Sequence, residues 1–258
     1  RTFIKKVEQL IKNNDAKDNF RNKKIQITGI AKGSGMIAPD MATMLSFIFT
    51  DANIPSNILQ TLLSRNVQNT FNAITVDSDA STSDTVLLFA TGAAKSIAPT
   101  SADDPVLKDF ELALQSVMLN LAKQIVCDGE GAQKLIQVNV TGATSKKSAR
   151  KIGLAIANSP LVKTAIAGGD ANWGRVVMAV GKSGEKANPN KISVCFGKTI
   201  IAEKGAVVER YDEAPVTEHL KGREIHITVD VGLGNGKSTV WTCDLTHGYI
   251  EINADYRS

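Results

Sequence analysis

Long apolar runs are missing from this chain. None approaches the roughly 18 residues that a membrane-spanning helix requires, so no membrane role is expected. Aromatic residues are sparse, at 5% of 258 residues. Cysteine occurs three times, as Cys127, Cys195 and Cys243, an odd number without metal-ligand spacing. Free thiols in a reducing compartment are the expectation. The three histidines, His219, His226 and His247, have no ligand spacing with the cysteines or with one another, and no metal site is expected. Neither sign of charge dominates: 30 basic residues stand against 26 acidic ones. The excess is spread along the sequence, which argues against a nucleic-acid partner. No secretory or transit pattern is visible, and a cytoplasmic location is expected.

What is present suits a globular protein. The apolar fraction is 43% and the charged fraction 22%, both ordinary values, and the length allows a sizeable core in one or two domains. Residues 1–20 read as an amphipathic helix, with Phe3, Ile4, Val7, Leu10 and Ile11 at helical spacing among lysines. Residues 23–28 alternate as a strand, and 44–49 and 86–90 read as buried strands. Helices are expected from Pro55 to about Phe71, from Asp104-Pro105 to about Val126, over 145–157, and from Ser159-Pro160. Strands are expected at 75–76, 135–140, 176–180, 192–196, 200–201, 225–231, 239–245 and 249–253. Helices and strands alternate early and strands cluster late, which points to an α/β fold, α+β with a mixed sheet.

The most unusual stretch is Lys32-Gly33-Ser34-Gly35-Met36-Ile37-Ala38-Pro39-Asp40-Met41-Ala42-Thr43-Met44-Leu45. Gly33 and Gly35 suit a loop that passes tightly round something. Ala42 gives little steric cover to the peptide bond before Thr43, so the threonine's own hydroxyl is able to attack it. A freed N-terminal Thr43 would hold nucleophile and base on one residue, because its α-amine titrates near neutral pH. Most such loops are only loops. The wording of this one, however, resembles the self-cleavage segment of the ornithine acetyltransferase family, the bifunctional glutamate N-acetyltransferases of arginine biosynthesis.

Four further stretches bear on that resemblance. Residues 77–85, Asp-Ser-Asp-Ala-Ser-Thr-Ser-Asp-Thr, are oxygen-rich but lack the central glycine and late glutamate of a calcium loop. A self-capping turn explains them, and they are similar to the family's Asp-Gly-Asp-Thr-Ser-Thr-Asn-Asp, departing at Ser78, Ala80 and Ser83. Asp128-Gly129-Glu130-Gly131-Ala132 sets one carboxylate between two glycines and matches the family residue for residue. The resemblance implies that Glu130 meets the substrate amino group or its proton traffic. Asn172-Trp173-Gly174-Arg175 reads as a tryptophan-anchored turn, with Arg175 a candidate partner for a substrate carboxylate. The ending Ile252-Asn253-Ala254-Asp255-Tyr256-Arg257-Ser258 is similar to the family's, whose asparagine and terminal hydroxyl residue bind substrate; by match these are Asn253 and Ser258. Residues 232–238, Gly-Leu-Gly-Asn-Gly-Lys-Ser, are not a phosphate loop, since Val231 stands where that pattern needs glycine. A hairpin turn is expected instead.

The resemblance implies an ornithine acetyltransferase/DmpA-like fold with a self-cleaving N-terminal nucleophile. It implies cleavage between Ala42 and Thr43, then acetyl transfer from N-acetylornithine to glutamate through an ester on Thr43. Lys32 would bind the substrate carboxylate. No cofactor is implied, although acetyl-coenzyme A is an alternative donor in some relatives. The expected assembly is a heterotetramer of two α and two β chains, with residues 1–42 a remnant of the α-chain region and 43–258 the β-chain region. The family's Thr-Gly oxyanion pair and Thr-Thr-Asp-Thr segment have no counterpart in residues 1–42, and the chain is expected to lack most of the N-terminal region. Two alternatives stand beside this reading: an N-terminal-nucleophile amidase or aminopeptidase, and an inactive truncated chain or subunit.

Overall fold

The computed structural model describes residues 2–10 (backbone only), 24–38, 44–79 and 83–255. They form two compact units, Arg1–Ala73 with Asp79–Ile125, and Ile74–Ser78 with Val126–Ser258. Each is built on a sheet of its own.

In the first unit β1 (Thr2–Leu10), β2 (Lys24–Lys32), β3 (Leu45–Thr50) and β4 (Thr85–Ala90) lie side by side in that order. The first two pairings are antiparallel; β3 and β4 run parallel, joined through α1 (Ser56–Val67). Period-two alternation sends Ile25, Ile27, Ala31 and Ile48 into the core. There they meet α2 (Lys108–Cys127), whose Leu114, Val117, Met118 and Leu121 are fully buried.

Two expectations are corrected here. Residues 2–10 form a strand, not part of a helix; nine consecutive pairs with β2 supply a ladder that outweighs the helical spacing. The rest of that expected helix falls on residues 11–20, outside the described residues. The strands at 44–49 and 86–90 are not buried on both faces. Phe47, Phe49, Leu87 and Phe89 are 37–43% exposed, and Phe49 stacks on Phe89 with ring centroids 5.2 Å apart.

The second unit holds a six-stranded mixed sheet. Its strands are β5 (Leu135–Ala143), β6 (Ser193–Phe196), β7 (Thr199–Glu203), β8 (Ala206–Val207), β9 (Glu224–Asp230) and β10 (Gly236–Cys243), in the order β10-β5-β9-β6-β7-β8. Only β5 and β9 pair in parallel. α3 (Lys146–Ala157) starts at Ser145, whose hydroxyl accepts the Ser148 N–H, and buries Ala149, Ile152 and Ile156 against β5 and β10. α4 (Pro160–Ala167) and α5 (Trp173–Lys182) follow. α6 (Glu213–Lys221), which the pattern did not reveal, begins at Asp212, whose carboxylate accepts the Ala214 N–H.

Four more expectations fail here. The apolar run at 176–180 is helix α5: Asn172 caps it, accepting the Arg175 N–H at 3.1 Å, and Val176, Ala179 and Val180 share the buried face. Residues 249–253 lie in α7 (His247–Asp255). Residues 232–238 do not make a hairpin, because β9 and β10 flank β5 on opposite sides. The chain crosses the end of β5 there, with the Leu233 and Gly234 N–H groups donating to the Gly142 carbonyl. The strand expected at 75–76 is reduced to a single parallel bridge, Ile74 to Trp241.

Candidate active site

Glu130 sits in a turn fixed from several directions within the second unit. The Gly129 N–H donates to the Val126 carbonyl and the Ala132 N–H to that of Gly129. Thr246 Oγ1 donates to the Gly131 carbonyl at 2.7 Å. Asp244, 2% exposed, accepts the N–H groups of Gln133 at 2.8 Å and Lys134 at 2.9 Å through one oxygen. Gly131 has φ +71°, and a Cβ there would stand 2.7 Å from the Gly248 carbonyl carbon and closer still to the Tyr249 nitrogen. The first turn of α7 therefore packs directly on glycine backbone.

That packing aims α7 at the glutamate. Asn253 Nδ2 donates to Glu130 Oε2 at 2.8 Å and to the Tyr249 carbonyl one turn earlier at 3.0 Å. Two residues that the sequence resemblance marks as substrate-binding, 123 positions apart, are thus in direct contact. Helical geometry is what allows it, since the second bond spans four residues.

Beneath this turn lies a group that the sequence reading did not single out. Lys163, on α4 and 4% exposed, donates from Nζ to the Val76 carbonyl and to Thr242 Oγ1, with Cys243 Sγ at 4.0 Å. Burial lowers its pKa, opposed by the charges of Cys243, Asp77 and Asp244. The available signal was a lysine on an apolar helix face, beside Val162, Ala165 and Ile166. Burial also pushes the Cys243 thiol up to about 11, against the pull of Lys163. Near neutral pH this keeps Cys243 far more fully protonated than an unperturbed thiol. Labelling with a chromogenic disulfide is therefore expected to modify exposed Cys127 fast, half-buried Cys195 slowly and Cys243 only on unfolding. Prompt reaction of all three in the folded protein would contradict this burial.

The other sequence candidates are placed as follows. Lys32 is the exposed last residue of β2, in the first unit. It faces Leu45 across the β2–β3 ladder, and its charge acts on Asp84. Asp84 accepts the Met44 N–H at 2.7 Å. Burial raises the Asp84 pKa, with that hydrogen bond and Lys32 pulling the other way. Arg175 is in the first turn of α5, its guanidinium donating to the Leu161 carbonyl at 2.9 Å. Ala42, Thr43 and Ser258 lie outside the described residues. Residues 77–79 form a turn with Ser78 at φ +66°, and among the described residues no cluster of His, Cys, Asp and Glu is suited to a metal. Among those residues, no helix is long and apolar enough to cross a membrane.

Comparison with known proteins bears on these residues. Relatives from Gluconobacter oxydans and Zymomonas mobilis, each named arginine biosynthesis bifunctional protein ArgJ, are 61% identical over 234 residues and 58% identical over 239. The matches take in 91% and 93% of this chain but 55% and 58% of those proteins, so the chain spans about half the length of the curated relatives it matches. A crystal structure of arginine biosynthesis bifunctional protein ArgJ from Bacillus halodurans superimposes with a TM-score of 0.77 at 43% identity, covering 80% of this chain and 96% of that one. That likeness establishes the mixed α/β fold. The sequence model of the ArgJ family runs from residue 7 to residue 258, through the Lys32 loop, the Glu130 turn and Asn253 alike, and the chain belongs to the ArgJ family.

Proposed function

We propose that this chain supplies the nucleophile and substrate-binding groups of a glutamate N-acetyltransferase of arginine biosynthesis. The Thr43 hydroxyl first attacks the Ala42 carbonyl carbon. The carbon–nitrogen bond breaks and the hydroxyl proton passes to the Thr43 amine. Water hydrolyses the resulting ester, leaving a carboxylate on Ala42 and a free hydroxyl and amine on Thr43. Its oxygen then attacks the acetyl carbonyl carbon of N-acetylornithine, while the α-amine, with a reference pKa of about 7.7–8.0, takes the hydroxyl proton. The carbon–nitrogen bond breaks, the proton passes to the departing amine, and ornithine leaves the acetyl group as an ester on Thr43. The neutral α-amine of glutamate attacks that ester. The carbon–oxygen bond breaks, a proton returns to Thr43, and N-acetylglutamate is released.

In this reading Lys32 binds the substrate carboxylate and Glu130 the substrate amino group, with Asn253 and Ser258 completing the contacts. Arg175 is a further carboxylate partner. The chemistry needs no cofactor or metal, and acetyl-coenzyme A is an alternative donor. The working assembly is two α and two β chains in the cytoplasm.

The observation that carries the proposal is the Glu130–Asn253 hydrogen bond. It leaves Glu130 Oε1 to meet an ammonium group while Oε2 is held.

The test combines mass and turnover. The denatured protein is expected to give one piece ending at Ala42 and another starting at Thr43, with Thr43→Ala staying uncut. Incubation with N-acetylornithine should load one acetyl group on Thr43 and pass it to glutamate. Release of acetate with no dependence on glutamate would favour the amidase reading. An uncut chain that transfers nothing would sink the proposal.

A further inference from the structure

The start of β3 is gripped on both sides within the first unit. Met44 is 5% exposed. Its N–H donates to Asp84 Oδ1 at 2.7 Å, and its carbonyl accepts the Thr85 N–H at 3.0 Å. The adjoining parallel register begins at once, Leu45 opposite Thr85. On the other side Lys32 is the residue opposite Leu45. Asp84 and Thr85 thus hold the two backbone polar groups of Met44, Asp84 its N–H and Thr85 its carbonyl.

The N–H that Asp84 holds belongs to the amide linking Thr43 to Met44. A carboxylate acceptor makes a shorter and stronger bond to an N–H than a neutral carbonyl does. Asp84 also immediately precedes β4, whose backbone is fixed by six ladder pairs. Before cleavage the amide is one residue from the bond to be broken; afterwards it is the only covalent tether of the new N-terminus. An orientation error there is passed straight to the reacting oxygen, where about 1 Å of misplacement costs about 10²-fold in rate.

Resting on the nucleophile reading of Thr43, we propose that Asp84 is a positioning residue for the nucleophile, holding the Thr43–Met44 amide so that self-cleavage and acetyl transfer start from one orientation. Asp84 itself need not touch substrate.

Two variants test this in the full protein, expressed with whatever companion polypeptide it has in its host. Asp84→Asn keeps an oxygen acceptor of the same shape for the Met44 N–H, whereas Asp84→Ala removes it. Asp84→Ala is expected to slow both cleavage at Ala42–Thr43 and kcat by about 10- to 100-fold, the KM for N-acetylornithine staying within about twofold. Asp84→Asn should recover most of both rates. Thermal unfolding of each variant, monitored by near-ultraviolet circular dichroism, sets the assay temperature well below its midpoint. Wild-type rates in Asp84→Ala would overturn the proposal. So would an equal loss in both variants, since the retained acceptor would then count for nothing. If the wild-type protein itself neither cleaves nor loads acetyl on Thr43, the nucleophile reading fails instead.

Discussion

Alanine at Gly131 is expected to cost at least about 10²-fold in kcat, because the change reaches the glutamate through backbone that has nowhere to go. The residue holds φ at +71°, and a methyl group there would overlap the Tyr249 nitrogen and the Gly248 carbon. Both are backbone atoms at the start of α7, so no side chain is available to swing aside. Either the Glu130 turn opens or α7 retreats. In both cases Asn253 Nδ2 leaves the 2.8 Å contact with Glu130. Strain at such a position, with overpacking, destabilises by about 1–3 kcal/mol. That leaves a folded chain with a misaligned candidate site as the expected product. Steady-state kinetics with N-acetylornithine and glutamate, beside a thermal melt, make the check; turnover at the wild-type rate would show that the turn tolerates side chains.

The candidate site residues stood out in the sequence more than the elements that hold them. Glu130 stood out because glycines on both sides are an unusual frame for a solvated carboxylate. Asn253 did not announce its partner. Residues 249–253 alternate in polarity like a strand, yet α7 is helical, and the bond from Asn253 to the Tyr249 carbonyl exists only in a helix. The same ambiguity misled at Val176–Val177, where two β-branched residues suggested a strand while the Asn172 cap and the 176, 179, 180 spacing fix a helix. Residues 2–10 show the converse, helical spacing overridden by a ladder to β2. Topology was the least visible level. That β10 pairs with β5 rather than β9 depends on contacts a hundred residues apart, which no local pattern encodes. Lys163 was passed over for a related reason: its partners Val76 and Thr242 lie 87 and 79 positions away.

Asn253→Asp should have the second large effect, and one that depends on pH. It replaces the amide donor with a carboxylate facing Glu130 Oε2. Two carboxylates about 3 Å apart do not both stay ionised, so one of them takes up a proton. The pKa of that pair in the folded state is raised above its unfolded value, and the fold then binds more protons than the unfolded chain. Stability relative to wild type is therefore lost at neutral pH and regained as pH falls through the raised value. Activity near neutrality is expected to drop by about 10²-fold. The gap between the melting midpoints of Asn253→Asp and wild type should narrow between about pH 8 and about pH 5. A gap that stays constant over that range would mean the two side chains do not face each other.

The distances along the chain also set an order of events during synthesis. The first unit is complete once Ile125 has been made. The Glu130 turn is not, because Thr246 is 115 residues and Asn253 is 123 residues further on. At about 5–20 residues per second, roughly 6–25 s of translation separate the glutamate from its asparagine partner. A nascent chain can thus carry the Lys32 loop and a finished first sheet long before the Glu130 turn gains its contacts from Thr246 and Asn253. On the proposed function, acyl chemistry waits for α7 to leave the ribosome.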